Sequence, residues 1–243
     1  MLVTGASGGI GAAVVAELVA RGAVVLAAGR DPAATRRVAV GAGALPLVAD
    51  LAGPDGPAAL AAEATAVRGR VDALVAGAGI GWRGALPDMP ADRVDQLLAV
   101  NLRAPITLTR ALLPGMLGRG CGRVTLLASI AGLTGVANES VYAATKAGLI
   151  VFAESLRLEI AGTGVGVAVV SPGAFGTDFF ARRGTPYDRR FPRPVHPDRV
   201  ARAVVATLER ERDEVVVPRW LAVAPRVRAL APRAYRSLAR RFG

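Results

Sequence analysis

The chain has 243 residues, 52% hydrophobic and 20% charged, which is material for one sizeable core and argues against two domains or a disordered chain. No apolar run approaches the roughly 18 residues that span a bilayer and no signal-like stretch follows Met1, so a cytoplasmic protein is expected; a lone Cys121 and a lone His196 exclude an intrachain disulfide and Cys- or His-based metal centres, so no metal is expected. Of the formal net charge of +11, residues 218–243 supply seven with seven Arg and no acid, which leaves +4 of interleaved charge before them and gives no reason to expect a nucleic-acid partner.

Residues 1–4 read as a short strand that runs into Gly5-Ala6-Ser7-Gly8-Gly9-Ile10-Gly11 and then a helix, Ala12 to Ala20, stopped by Arg21-Gly22. A strand, a glycine turn and a helix bring backbone N–H groups and the positive end of a helix dipole to one place, where a pyrophosphate can sit. A second strand, Ala23 to Ala28, ends in Gly29-Arg30-Asp31-Pro32. In a dinucleotide fold the acid that holds the ribose 2′-hydroxyl stands at the end of this strand. Here that place holds Gly29 followed by Arg30, which favours a 2′-phosphate and hence NADP(H); Asp31, with Pro32 behind it, reads as a helix N-cap.

The alternation continues with strand Ala44 to Ala49, helix Gly56 to Val67 and strand Val71 to Ala76, which enters Gly77-Ala78-Gly79. Asp50 closes the third strand either as a turn residue or as a contact to adenine. Helices Ala91 to Asn101 and Ala104 to Leu117, strand Arg123 to Ala128, helix Ser140 to Ala161, strand Val165 to Val170, an irregular stretch from Ser171 to Val195, helix Asp198 to Arg210 and strand Glu214 to Val217 complete the order. Continuous apolar strands separated by helices of ten or more residues mean a parallel sheet covered on both faces. The expected fold is therefore α/β: a single doubly wound Rossmann-like domain of about seven parallel strands, spanning residues 1–217, with a tail at 218–243.

Within the helix from Ser140, Tyr142 and Lys146 lie at i and i+4 on one face, and Lys146 is the only lysine in the chain. A phenol has a reference pKa of about 10 and a nearby ammonium favours the phenolate, so Lys146 is expected to bring Tyr142 toward the working range for acid/base catalysis.

Thr4-Gly5-Ala6-Ser7-Gly8-Gly9-Ile10-Gly11, Asn101, Ser129, Tyr142-Ala143-Ala144-Thr145-Lys146 and Pro172-Gly173-Ala174-Phe175-Gly176-Thr177 closely resemble, in order and spacing, the successive motifs of the short-chain dehydrogenase/reductases. The resemblance covers residues 1 to about 217. It implies an oxidoreductase in which Tyr142 is general acid or base, Ser129 bonds the substrate oxygen, Lys146 binds the nicotinamide ribose and Asn101 holds a water on the proton path. It implies that Gly5, Ser7, Gly9, Ile10, Gly11, Arg30, Asp50, Gly79, Asn101, Tyr142, Lys146, Pro172, Gly173 and Thr177 line the cofactor site. It also implies a homodimer or homotetramer. The expected reaction moves a hydride between NADP(H) and a small hydrophobic ketone, aldehyde or secondary alcohol. The alternatives are a 3-oxoacyl reductase of lipid synthesis and a non-catalytic NADP(H)-binding sensor or scaffold.

The chain departs from the family pattern in three places. Ala76-Gly77-Ala78-Gly79 stands where Asn-Asn-Ala-Gly is usual, so polar bracing of that turn must come from elsewhere or the turn is looser. The family's first strand begins several residues earlier, so either the native start lies upstream or the strand is short at a cost in stability. Beyond Val217 the common motifs end.

The stretch 174–195 carries Phe175, Phe179, Phe180, Tyr187 and Phe191 and reads as a substrate lid whose aromatics, with Trp82, either line an apolar pocket or pin the loop. His196, before Pro197 and a helix, suggests a surface or capping residue. In the tail, Val223, Val227, Leu230, Ala234 and Leu238 form one stripe beside Arg219, Arg226, Arg233 and Arg240, a basic amphipathic pattern that Pro225 and Pro232 should break into short pieces. It either packs on the body, the lid or another subunit, or makes a peripheral contact with a membrane surface.

Overall fold

The computed structural model describes residues 1–188, 192–209 and 212–242. Seven strands form one sheet: β1 (Leu2–Thr4), β2 (Leu26–Gly29), β3 (Leu45–Val48), β4 (Ala73–Ala76), β5 (Gly122–Leu127), β6 (Val165–Pro172) and β7 (Glu214–Val217). Their order is β3-β2-β1-β4-β5-β6-β7, and every neighbouring pair is parallel. The order reverses between β1 and β4, so the loops after these two strands diverge and leave a crevice at the C-terminal edge.

Alternate side chains of the apolar strands feed two cores. Leu2, Leu74, Val124, Leu126, Val167 and Val169 pack with Leu60 of α3 (Gly56–Arg68), Leu108 and Met116 of α5 (Ala104–Gly118) and Leu149 and Leu156 of α7 (Ser140–Glu159). On the opposite face Val3, Ala27, Val75 and Val170 meet Val14, Val15 and Leu18 of α1 (Gly9–Ala20), Ala39 of α2 (Pro32–Ala42) and Val200, Val204 and Val205 of α9 (Pro197–Glu209). The parallel sheet covered on both faces is the architecture that the continuous apolar strands predict.

Helix boundaries depart from the sequence expectation where tertiary contacts decide them. α1 starts at Gly9, inside the glycine run. The two helices expected between Ala91 and Leu117 form one rod: α4 (Ala91–Leu98) passes through a π-turn, Ala99–Arg103, into α5. Ala104 N–H donates to Ala99 O, five residues back. This shift of the ladder lets Pro105, which has no N–H, continue the helix. Two short helices escaped the sequence reading: α6 (Ile130–Thr134), and α8 (Phe179–Arg182) within the supposedly irregular lid. After β7 a 3-10 turn, Arg219–Ala222, leads to α10 (Val223–Leu230) and α11 (Pro232–Phe242). The break falls at Pro232 as expected, whereas Pro225 sits in the first turn of α10, where a missing N–H costs nothing.

Candidate active site

The crevice at the strand-order reversal opens into a cleft of about 490 Å³. Its floor is the glycine turn. Gly5 has φ +72, and a Cβ there would lie 2.8 Å from the Gly77 carbonyl; a Cβ on Gly11 would lie 2.1 Å from Gly5 O. Only glycine lets the turn close this tightly and lets α1 start this near β1. No side chain caps α1, so its first-turn N–H groups remain available to an anion. Thr177 faces the turn from the other wall, 3.3 Å from where a Gly9 Cβ would stand.

At the end of β2 the walls carry Gly29, Arg30 and Asp31. Asp31 Oδ1 accepts from Ala34 N at 2.8 Å and caps α2. A Cβ on Gly29 would lie 2.3 Å from Thr35 Oγ1, so a side-chain carboxylate does not fit there. Arg30 is exposed at the rim and has no acidic partner among the described residues. Asp50 Oδ1 accepts from Ala52 N at 3.0 Å, which makes it a turn residue at the cleft wall.

Deeper in, Lys146 Nζ donates to Leu127 O at 2.8 Å, which aims the ammonium from α7 across the end of β5. Ser129, two residues beyond β5, caps α6 by accepting from Ala131 N, and its hydroxyl faces the Tyr142 phenol closely enough to favour the phenolate. Tyr142, Lys146 and Ser129 are all buried. Burial is the largest influence on Tyr142 and pushes its pKa well above the usual 10; the Ser129 bond and Arg183 oppose this, while Glu139 adds to it. Burial also lowers Lys146 to about 8. The expected lowering of the phenol by Lys146 is therefore not what the protein alone produces: burial raises the phenol, and the ammonium, 5.8 Å from the ring centroid, does not bring it down.

Asn101 lies in the π-turn, fully buried. Its Oδ1 accepts from Ile80 N and its Nδ2 donates to Ile80 O, both at 2.9 Å, with a longer bond to Thr145 Oγ1. Thr4 Oγ1 accepts from Gly77 N and Ala78 N. These two side chains brace the turn after β4, replacing the polar residues absent from Ala76-Gly77-Ala78-Gly79. A Cβ on Gly79 would lie 3.5 Å from Asn101 Oδ1 and 3.6 Å from Lys146 Nζ, so this glycine holds the space between them.

A second pocket, about 650 Å³ and mostly apolar, lies on the far side of Tyr142. Ser129 and Tyr142 form its inner end. Phe175, Phe179, Phe180 and Tyr187 stack in series with centroids 5.0–5.8 Å apart, ending on Tyr142, so the lid aromatics both pin the loop and line the pocket. Arg183 ties the lid down: it pairs with Glu139 at the head of α7, donates to Thr185 O and stacks on Phe180 at 4.6 Å. The tail forms the roof with Leu221, Ala224, Val227, Tyr235 and Leu238.

Residues 1–188 match the family model described as short chain dehydrogenase. The chain belongs to the short-chain dehydrogenase/reductase family. It is 34% identical to the ketoacyl reductase HetN of Nostoc sp., over 89% of this chain and 77% of HetN. It is 37% identical to the 3-oxoacyl-[acyl-carrier-protein] reductase FabG of Salmonella typhimurium, over 73% of each. A short-chain dehydrogenase from Sphingobium yanoikuyae in complex with NADPH superposes with a TM-score of 0.84 at 26% identity, covering 96% of this chain and 94% of that one. Membership makes this short-chain dehydrogenase/reductase an oxidoreductase with a site for a nicotinamide cofactor.

Within this family member, Gly5, Ser7, Gly9, Ile10, Gly11, Arg30, Asp50, Gly79, Tyr142, Lys146, Pro172 and Thr177 all border the first cleft. Gly173 does not; it faces the second pocket, where a Cβ would lie 2.4 Å from Leu221 Cδ1. Asn101 stands behind the wall, acting through Ile80. Trp82 packs against the buried cluster of Leu97, Ala131, Tyr142 and Ala143 and is not among the residues lining either pocket. Phe191 and Arg210 lie outside the described residues. His196 caps α9 through Asp198 N. Sequence reasoning missed Arg93 and Gln96 of α4 at the cleft and the Glu139–Arg183 pair; their only signals are an i, i+3 spacing and a glutamate just before a helix.

Proposed function

We propose that the chain transfers a hydride between NADP(H) and a hydrophobic ketone, aldehyde or secondary alcohol, with Tyr142 as general acid and base. The observation that carries this reading is that Tyr142, alone among the described polar residues, borders both the glycine-floored cleft and the apolar pocket, with Lys146 on one side and Ser129 on the other. The residues fit a dinucleotide: glycines where a Cβ would block approach, an uncapped helix N-terminus for the pyrophosphate, and Arg30 beside a position that excludes a carboxylate. NADP(H), when bound, supplies or accepts the hydride at the substrate carbon. In reduction, the Tyr142 O–H gives its proton to the carbonyl oxygen as that oxygen gains charge, and the Ser129 hydroxyl donates to the same oxygen. A raised phenol pKa keeps this proton in place at neutral pH. Lys146 stabilises the phenolate left behind, and in oxidation the steps run backwards.

Tyr142→Phe should lower turnover of an apolar ketone by at least about 10²-fold, the scale of a lost acid/base group, with NADPH binding retained. An unchanged turnover number would remove Tyr142 from the mechanism. Arg30→Ala should weaken NADPH by roughly tenfold or more while leaving NADH nearly unaffected, as the loss of a charge-assisted phosphate contact would. Fluorescence titration with both cofactors reads this directly, and equal weakening would overturn the NADP(H) preference assigned to Arg30. A 3-oxoacyl reductase is the second reading, favoured by the likeness to HetN and FabG; turnover of acyl-carrier-linked substrates in preference to free ketones would establish it.

A further inference from the structure

The tail has two working sides, and only one of them is used by the body. On the inner side Arg228 donates to Leu133 O at 2.6 Å and the Tyr235 hydroxyl donates to Thr134 O at 3.2 Å, satisfying carbonyls at the end of α6. Leu221 is buried, and Ala224 and Val227 form part of the pocket roof. The outer side presents Val223, 55% exposed, and Leu230, 88% exposed. Seven residues apart, these two share a face of α10. Trp220 stands one turn before Val223 and is half-exposed. Arg219 and Arg226 repeat the same spacing beside them, and the seven arginines of residues 218–243 meet no acid within the segment.

We propose that this outer face is an anchor for an anionic lipid surface, and that the apolar pocket beneath it receives its substrate from that surface. Apolar side chains flanked by Arg219 and Arg226 match the boundary between acyl chains and anionic headgroups, where the first are dehydrated and the second neutralised. A second copy of the chain is a poor occupant. A two-fold contact would set the same patch on both sides and bring arginine against arginine. The pocket runs from the underside of α10 and α11 to Ser129 and Tyr142, so a carbonyl or alcohol carried on a bilayer-partitioned apolar chain reaches the reacting groups without crossing water. The anchoring stands on the tail alone. The delivery rests on the hydride-transfer reading.

The test uses the full chain with vesicles of phosphatidylcholine alone and of phosphatidylcholine with a quarter phosphatidylglycerol. The wild type should pellet with the anionic vesicles, roughly tenfold better than with neutral ones, and the binding should weaken with added salt, as charge attraction at a headgroup surface requires. Val223→Glu/Leu230→Glu, and Leu230→Glu alone at a position with almost no contacts, should lose the anionic-vesicle binding while keeping NADPH binding and the turnover of a short water-soluble ketone. Anionic vesicles should raise wild-type turnover of a long-chain ketone and leave the variants' rate unchanged. Equal pelleting of wild type and variants, or no pelleting at low salt, overturns the anchor, as does a change of oligomeric state in the Leu230 variant, which would assign the face to another subunit. Vesicle binding that depends on Leu230 without turnover of any ketone would uphold the anchor and reject the delivery and the hydride-transfer reading instead.

Discussion

Tyr142 and Lys146 sit one helical turn apart with their heads in dry surroundings, and burial shifts them in opposite directions, the phenol up and the ammonium down to about 8. The phenol therefore stays protonated across the ordinary range, and Lys146 is the group that titrates. It is charged below about pH 8 and neutral above. We expect kcat/KM for ketone reduction to fall with a single deprotonation near pH 8, since the cation that stabilises the phenolate is lost there; a flat profile to pH 9.5 would dissociate Lys146 from the chemistry. The same shift has a sign for stability. The unfolded lysine keeps its proton to about 10.5, so burying the ammonium costs stability below about 8, and that cost is relieved as pH rises from about 8 to 10.5. The Tyr-x-x-x-Lys spacing was visible in the sequence because helical periodicity alone puts the two on one face. The dominance of desolvation was not, because burial is a property of what packs around α7.

The groups proposed to be catalytic owe their positions to short or irregular elements. α6 exists because Ser129 caps it and because the tail satisfies its last carbonyls; five residues in isolation are far too few to nucleate a helix, which is why sequence periodicity passed over it. The π-turn places Asn101 so that its amide braces Ile80, and a single residue's shift in the helical ladder leaves no periodic trace in the sequence. The lid is held by Arg183 and Glu139, 44 residues apart in the chain and both largely buried. Arg183→Met should loosen the lid and raise KM for apolar ketones roughly tenfold, about 1.4 kcal/mol of binding, with a smaller change in kcat. Adding Glu139→Gln should restore part of that loss, because the single change leaves a buried carboxylate without its partner. Additive effects in this double-mutant cycle would show that the two do not act as a latch.

The sheet carries the whole arrangement, and its centre is the least tolerant part. Leu74 in β4 is fully buried between β1 and β5 at the strand-order reversal. Leu74→Ala should cost about 2–5 kcal/mol in urea unfolding, the range for cavities in rigid cores. A cost below about 1 kcal/mol would mean the core around the crevice can collapse, and with it the rigidity assumed for the cleft. The number, order and parallel pairing of the strands follow from sequence, since apolar runs and intervening helices admit few topologies. So do the glycine turn, the Gly29-Arg30 end of β2 and the Ser129, Tyr142 and Lys146 set, because each is a local motif on a local element. Tertiary structure alone decided which residues brace the turn after β4, that Gly173 faces the second pocket, that Arg183 and Glu139 meet, and that the tail roofs the pocket with one side while exposing Val223 and Leu230 on the other. Those are contacts between segments tens of residues apart, set by how helices pack on a twisted sheet, and no local pattern encodes them.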